Sequence, residues 1–421
     1  MSVPPGTESV AESQTGDGIE ATLREVVEAL APIERSPCSP GERQAAVWLA
    51  ERLGAVEGVE TALEDEPSWG IFQPTLTGLG ALGTLAAALV LRGRRASGAA
   101  LAAATLAGIV DEAHNGPRIL RRAVRRRRTT VNLVARAGDA DADGTLVVLA
   151  HHDAPKTGHL FDQTLQRRLY ELAPHVIERF KTPPPQWWLG FAGPLATCAG
   201  AVTGRRGAAR AGLLIGAIGT AILADMWRSP TVAGANDNLS GVAVLVALAE
   251  LLAVDPVPGL RVLLVSCGAE ETLQDGIRAF MRTHREELAP GRTWFVNLDT
   301  VGSPHLVLLE AEGPVRMERY VGPWLRELLA ECAEELGVAL QRGFRARAST
   351  DSVIPSRAGY PTATLVSMTD WRAPANYHLR SDVPENLDYR TVAAATRLVR
   401  AVCEALSTLS ASAQRPSPQP A

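Results

Sequence analysis

The chain has 421 residues, 46% of them hydrophobic, which suffices for one large α/β domain or two ordinary ones and excludes a wholly disordered protein. A formal net charge of −4 is small for that length, so no global field points to nucleic acid or to an acidic substrate. The five cysteines (Cys38, Cys198, Cys267, Cys332 and Cys403) are odd in number and lack a C-x-x-C pair, which argues against a disulfide framework or thiolate zinc site and fits a reducing compartment.

Residues 1–18 are polar and acidic, without the basic and apolar regions of a secretory signal, and read as a disordered start. Helical periodicity follows at 19–30 and again at 41–53, after the breaker cluster "SPCSPG". Residues 67–91 then carry no charge, "RGRR" intervenes, and 96–110 are again uncharged; this predicts an apolar helical hairpin over 67–110. Strand-like runs come next at "TVNLVARA" (130–137) and "TLVVLAH" (145–151). A second hairpin is predicted over 182–227, where "RRGAAR" separates two uncharged runs. Further strands are expected at 261–267, 293–299, 305–310 and 362–367, with helices at 240–252, 274–284, 316–336 and 389–406. Strands alternating with helices predict an α/β fold with a mostly parallel central sheet flanked by helices. The catalytic domain is therefore expected in three pieces, 19–66, 111–181 and 228–409, with residues 410–421 as a disordered tail.

The first hairpin contains "GLGALG", a match to G-x-G-x-x-G through Gly78, Gly80 and Gly83. It lies inside an apolar run rather than at a strand-to-helix turn, so a dinucleotide site is rejected. Small residues in apolar helices more often permit close helix approach, and Gly212 and Gly216 offer the same in the second hairpin.

Metal-ligand side chains end five of the short stretches. "LAHHDAP" holds His151 and Asp153, a pair that can place a carboxylate behind an imidazole; a lone H-x-D is commonly incidental. "GANDNLSG" holds Asp237 just before a helix, where an N-cap is the plain alternative. "SCGAEET" holds adjacent Glu270 and Glu271, "VNLDTVG" holds Asp299, and "NYHLRSD" holds His378. All are expected near one edge of the parallel sheet, where open α/β sheets build their sites.

In order and spacing, H-x-D, G-A-x-D-N-x-S-G, G-x-E-E, N-L-D-x-V-G and Y-H-x-x-x-D-x-x-E-N-L-D, the series resembles the M28 family of zinc aminopeptidases and carboxypeptidases. The resemblance implies two zinc ions about 3.5 Å apart, bridged by Asp237. His151 and Asp299 would complete one shell, Glu271 and His378 the other, with Asp153 behind His151 and Asp351 as a supporting residue. Glu270 would be the general base, and Tyr377 would donate to the oxyanion, although a packed aromatic reads as well. Arg345 and Arg347 are candidates to meet a substrate carboxylate, or simply solvated loop residues. Two departures stand out: Asn236 replaces the usual first Asp of G-A-D-D-N, and a whole hairpin separates His151 from Asp237. The M20 peptidases also carry H-x-D and E-E, but no dimerisation domain is inserted after the glutamate pair here.

As helices, the longer arms of 23 to 25 residues span about 35 Å and the shorter ones about 22 Å, so each hairpin pairs one bilayer-length arm with one short arm. Trp69, Trp187, Trp188 and Trp227 fall at the ends nearer the catalytic domain, as an interfacial belt requires. The expectation is a multi-pass protein of the cell membrane with a lipid bilayer as partner; a soluble helical arm is the rival. The arginines from Arg118 to Arg128 favour a cytoplasmic catalytic domain. The expected substrate is a peptide with a free terminus, with an N-acyl amino acid or lipopeptide as alternative and an inactive scaffold as the reading of another class.

Overall fold

The computed structural model, which describes residues 7–183 and 188–413, gathers the six expected strands into one nine-stranded mixed sheet. In chain order, α1 (Thr7–Leu30), α2 (Pro40–Gly54) and β1 (Glu60–Ser68) precede a first insertion of α3 (Gln73–Leu91), α4 (Arg95–Ala113) and the short α5 (Ile119–Val124). After β2 (Arg128–Gly138) and β3 (Gly144–His151), α6 (Thr164–Leu172) and α7 (Pro174–Ile177) lead to a second pair, α8 (Trp188–Thr203) and α9 (Arg206–Arg228). The chain continues through α10 (Ser240–Val254), β4 (Leu260–Cys267), α11 (Asp275–Thr283), β5 (Thr293–Leu298), β6 (His305–Glu312) and β7 (Glu318–Arg319). It ends with α12 (Pro323–Glu335), β8 (Leu340–Ala346), α13 (Val353–Arg357), β9 (Thr362–Met368) and α14 (Tyr389–Ala413).

The strand order is β1-β2-β4-β3-β5-β9-β6-β7, with β8 also on β6. Only the centre, β4-β3-β5-β9, is continuously parallel; β2 joins β4, and β6 joins β9, antiparallel. The central strands are buried on both faces and read as unbroken apolar runs. One face packs on α1, α10 and α14 through residues such as Leu23, Leu245 and Leu398, and the other on α11 through Ile277 and Phe280.

Several boundaries differ from expectation. The first helix begins at Thr7, not at 19, because once 19–30 is docked each further residue adds a hydrogen bond without a new nucleus. Residues 1–6 and 414–421, the rest of the expected disordered ends, lie outside the described residues. The helix expected from 316 begins only at Pro323, after Gly322 in the left-handed conformation. β1 was not anticipated: it pairs only with β2, and its half-exposed face carries acidic residues that read as loop.

The two hairpins form one bundle in which α3 packs on α4, α8 and α9. Glycine makes that approach possible. A Cβ on Gly212 would lie 2.9 Å from the Thr197 backbone nitrogen and 3.0 Å from the Gly193 carbonyl oxygen, and one on Gly80 would lie 2.6 Å from Thr220 Oγ1. Leu82, Leu85, Leu214 and Ile218 point outward. Three helical stretches are long and apolar enough to cross a membrane, 73–91, 206–228 and 235–254, but 78% of the third is buried against the sheet.

Both insertions have narrow necks. Ser68 pairs directly with Arg128 across β1 and β2. Lys156 bridges Thr231, with the Thr157 N–H donating to the Pro230 carbonyl at 3.1 Å and the Val232 N–H to the Pro155 carbonyl at 3.0 Å. The arginines after the first hairpin are not all free charges: Arg118 is paired with Asp275, and Arg121 Nε donates to Glu112 at 2.9 Å, both buried. That removes two of the seven arginines between Arg118 and Arg128 from the charge asymmetry on which the expected orientation rests.

Candidate metal centre

His151 ends β3, Glu270 and Glu271 follow β4, Asp299 follows β5, and Tyr377 and His378 lie in the loop after β9. All stand at the carboxyl edge of the four parallel strands, and Asp237 enters from the turn before α10. Asp237 Oδ1 is 3.3 Å from His151 Nε2, and its Oδ2 is 3.0 Å from His378 Nε2. His378 Nε2 is also 3.5 Å from Glu271 Oε1. Two groups of three, His151 with Asp237 and Asp299, and Asp237 with Glu271 and His378, each bring their ligand atoms within 4.8 Å of one another, and they share Asp237.

The surroundings fit metal ions. Asp237 Oδ2 and both ring nitrogens of His378 are buried without a hydrogen-bond partner. Burial, with neighbouring carboxylates, holds Glu270 and Glu271 well above the usual carboxylate range and pushes Asp299 up to about 7. Burial disfavours the charged form of Asp237 too, but the two imidazoles outweigh it and lower its pKa. For His151 burial opposes protonation, yet Asp153 and Asp237 together raise it well above the ordinary histidine value. So many buried carboxylates need compensating positive charge, which divalent cations would supply.

The ligand loops are held by groups behind them. Asp153 accepts the backbone N–H groups of Glu270 and Glu271, each at 3.0 Å, so its main partner is the glutamate turn; its Oδ1 lies 3.5 Å from His151 Nδ1. Asp382 does the same for the other loop, accepting from Asn236 N–H at 2.7 Å and Asp237 N–H at 3.1 Å. Asn236, the departure from the usual Asp, donates to Ser303 Oγ at 3.2 Å and the Ala375 carbonyl at 3.0 Å and accepts from Gly302 N–H at 2.8 Å. Asp351 is buried beside the Cys267 thiol and makes no contact that would ligate with the others.

Three supporting residues escaped the sequence reading. Asp382 stands inside the quoted Y-H-x-x-x-D motif, but no role was attached to it. The Glu42 backbone N–H donates to Ser39 Oγ in a local helix cap, as S-x-x-E suggests, yet its carboxylate Oε1 accepts from Ala269 N–H at 2.8 Å, which nothing local signals. Buried Arg35 donates to the carbonyls of His152 at 2.8 Å and Ala233 at 2.6 Å, tying the two ligand loops together.

Glu270 differs from its neighbour. Its Oε1 accepts from Gln274 Nε2 at 2.6 Å, and it belongs to neither of the two groups sharing Asp237, though it lies in a third with His151 and Glu271. Both glutamates line a cavity of about 300 Å³ together with Asp299, Tyr377 and His378. One wall is apolar and comes from the hairpins: Phe72 and Leu76 of the first, Leu189, Ile222, Leu223 and Met226 of the second. Arg345 and Arg347 lie on the rim, with the Arg347 guanidinium 5.9 Å from the Trp188 ring centre.

Comparison with known proteins agrees with this architecture. LapB from Legionella pneumophila superposes with a TM-score of 0.53 at 14% identity, over 95% of this chain and 75% of that one. A leucine aminopeptidase precursor from Bacteroides thetaiotaomicron gives 0.53 at 14%, over 91% of this chain and 96% of that one. A glutaminyl cyclase from the same organism, bound to N-acetylhistamine, gives 0.53 at 14%, over 91% and 97%. At such identities the likeness is one of fold. No curated protein matches by sequence. The α/β fold is thus similar to that of LapB, of the leucine aminopeptidase precursor and of the glutaminyl cyclase. Residues 218–403, rather less than half of the chain, match the family model of peptidase family M28, the family that the motif series resembles.

Proposed function

We propose that the protein is a membrane-associated, two-zinc exopeptidase, an aminopeptidase by preference, that cleaves a peptide bond at a free terminus. The observation that carries this reading is the Asp237 carboxylate, whose two oxygens face two different histidines while Asp299 and Glu271 complete the two groups. Zinc at these positions would supply Lewis-acid polarisation of the scissile carbonyl and lower the pKa of a water to near 7. The buried Glu270 carboxylate takes the proton of the attacking water and returns it to the leaving amine. Tyr377, beside His378 with ring centres 4.0 Å apart, is in reach to donate to the oxyanion. A cavity of about 300 Å³ with one apolar wall suits a chain end better than a continuous polypeptide. The outward-facing leucines of the bundle support a bilayer around the hairpins, and the exposed Arg122, Arg126, Arg127 and Arg128 favour a cytoplasmic catalytic side.

Glu270→Gln should lower turnover of an aminoacyl amide by 10² to 10⁴, as expected for loss of a general base, with about two zinc ions per chain retained. Glu271→Ala should lose metal instead. Full activity in the Glu270 variant would refute the assigned base. The apolar cavity wall and the free rim arginines favour one second reading, an amidohydrolase of N-acyl amino acids or lipopeptides. Comparing rates on aminoacyl anilides and N-fatty-acyl amino acids separates the two, and metal binding without turnover of either would mark a scaffold.

A further inference from the structure

The segment between the sheet and the second hairpin carries an apolar face with none of the described residues against it. No residue of α6 is buried, and Leu165, Leu169 and Leu172, at helical spacing, are 70%, 46% and 82% exposed. Exposed Val176 and Phe180 prolong the stripe. Residues 164–181 also hold Arg167, Arg168, Arg179 and Lys181 against Glu171 and Glu178, four cations minus two anions, a net charge of +2.

The attachments of this segment fix which side faces out. Gln163 Nε2 donates to the Pro374 carbonyl at 2.9 Å and Gln166 Nε2 to the Trp371 carbonyl at 2.7 Å, while at the far end Arg345 N–H donates to the Lys181 carbonyl at 2.8 Å. The polar side is thus tied to the catalytic domain. Just before the segment, His159 N–H donates to Asp225 Oδ2 at 2.8 Å, and Phe161 packs with Phe72 and Met226, at the ends of α3 and α9 nearest the sheet. Trp188 and Trp227 are exposed at that same level.

We propose that residues 164–181 form an interfacial strap that lies on an anionic lipid surface, its leucine stripe among the acyl-chain boundary and its Arg167, Arg168 and Arg179 side chains at the phosphates, while Lys181 stays over the Phe344 ring, 4.1 Å from its centre. A protein partner would not explain why the stripe continues from the roots of two apolar, outward-facing hairpins. Gln163, Gln166 and Phe180 also line the catalytic cavity, so the strap sets its mouth at the bilayer surface. This inference rests on the membrane-associated reading above.

Hydroxyl-radical footprinting of the full chain in nanodiscs tests it. In discs containing phosphatidylglycerol, labelling of Leu165, Leu169, Leu172 and Phe180 should fall at least fivefold relative to detergent-free protein in neutral phosphatidylcholine discs, while exposed Leu336 on the catalytic domain is unchanged. Leu82, Leu85, Leu214 and Ile218 should be protected in both discs. Arg167→Glu with Arg168→Glu should abolish the dependence on lipid charge. Protected hairpins with a strap labelled equally in both discs would overturn the strap and leave the membrane reading intact. Unprotected hairpins would defeat the membrane reading and the strap with it, and strap protection that follows protein concentration instead of lipid charge would assign the face to a second copy.

Discussion

A carboxylate that serves two cations needs both oxygens on the metal side, so its position must be fixed through its backbone. Asp382 does this for Asp237 by accepting two consecutive N–H groups, and Asp153 does it for the glutamate pair. In Asp382→Asn an amide N–H would oppose one of those backbone donors. Zinc affinity, measured by chelator competition, should fall about 10- to 100-fold, and turnover should recover at saturating zinc. An unchanged affinity would leave Asp382 as a packing residue only. Among the candidate ligands, His151, Glu271 and Asp299 were legible because each ends or follows an apolar run, where side chains of one sheet edge converge, whereas Asp237 and His378 lie in a turn and a loop and were marked by the motif series. Arg35 and Glu42 were not legible: their partners lie 117 to 227 positions away, and only tertiary packing reveals them.

Among elements, the hairpins were the easiest to read, because long uncharged runs interrupted by arginines leave few alternatives. What the pattern did not contain is that the two hairpins pack on each other, since the decisive contacts join α3 to α9 across more than a hundred residues. The edge strand β1 was missed because it buries little and its half-exposed face reads as loop, and α6 because its leucine stripe spans only nine residues. The close approach of α8 and α9 gives a direct test. Gly212→Val drives a Cβ against backbone atoms of Thr197 and Gly193, which cannot swing aside, and should destabilise the detergent-solubilised bundle by about 1–3 kcal/mol in thermal unfolding. Gly207→Ala on the same helix meets nothing within 4 Å and should be neutral or slightly stabilising.

At the scale of the whole molecule, buried acids away from the metal centre set how stability responds to pH. Glu312 is fully buried; desolvation pushes it up to about 8, even though the backbone N–H and hydroxyl of Thr350 both donate to it. In the unfolded chain the same group titrates near pH 4.3. Between those values the native state keeps a proton that the unfolded state has released, so this contribution is complete below about pH 4.3. It is lost as pH rises towards 8, at no more than about 1.4 kcal/mol per pH unit. Glu312→Gln should remove that slope: its melting temperature should gain on the parent protein from pH 5.5 to pH 8 and run parallel above. Parallel curves throughout that range would mean that Glu312 is ionised in the native state.

The Ser68–Arg128 pairing and the Lys156–Thr231 bridge bear on how such a chain is assembled. Each excursion leaves and returns at backbone positions that lie side by side, the first within the sheet and the second at a bridge outside it, so a tight reverse turn would rejoin either pair of ends. The helical bundle is therefore joined to the α/β core through two doorways, and because it also supplies one wall of the cavity beside the candidate metal centre, what it changes is the shape of the way in.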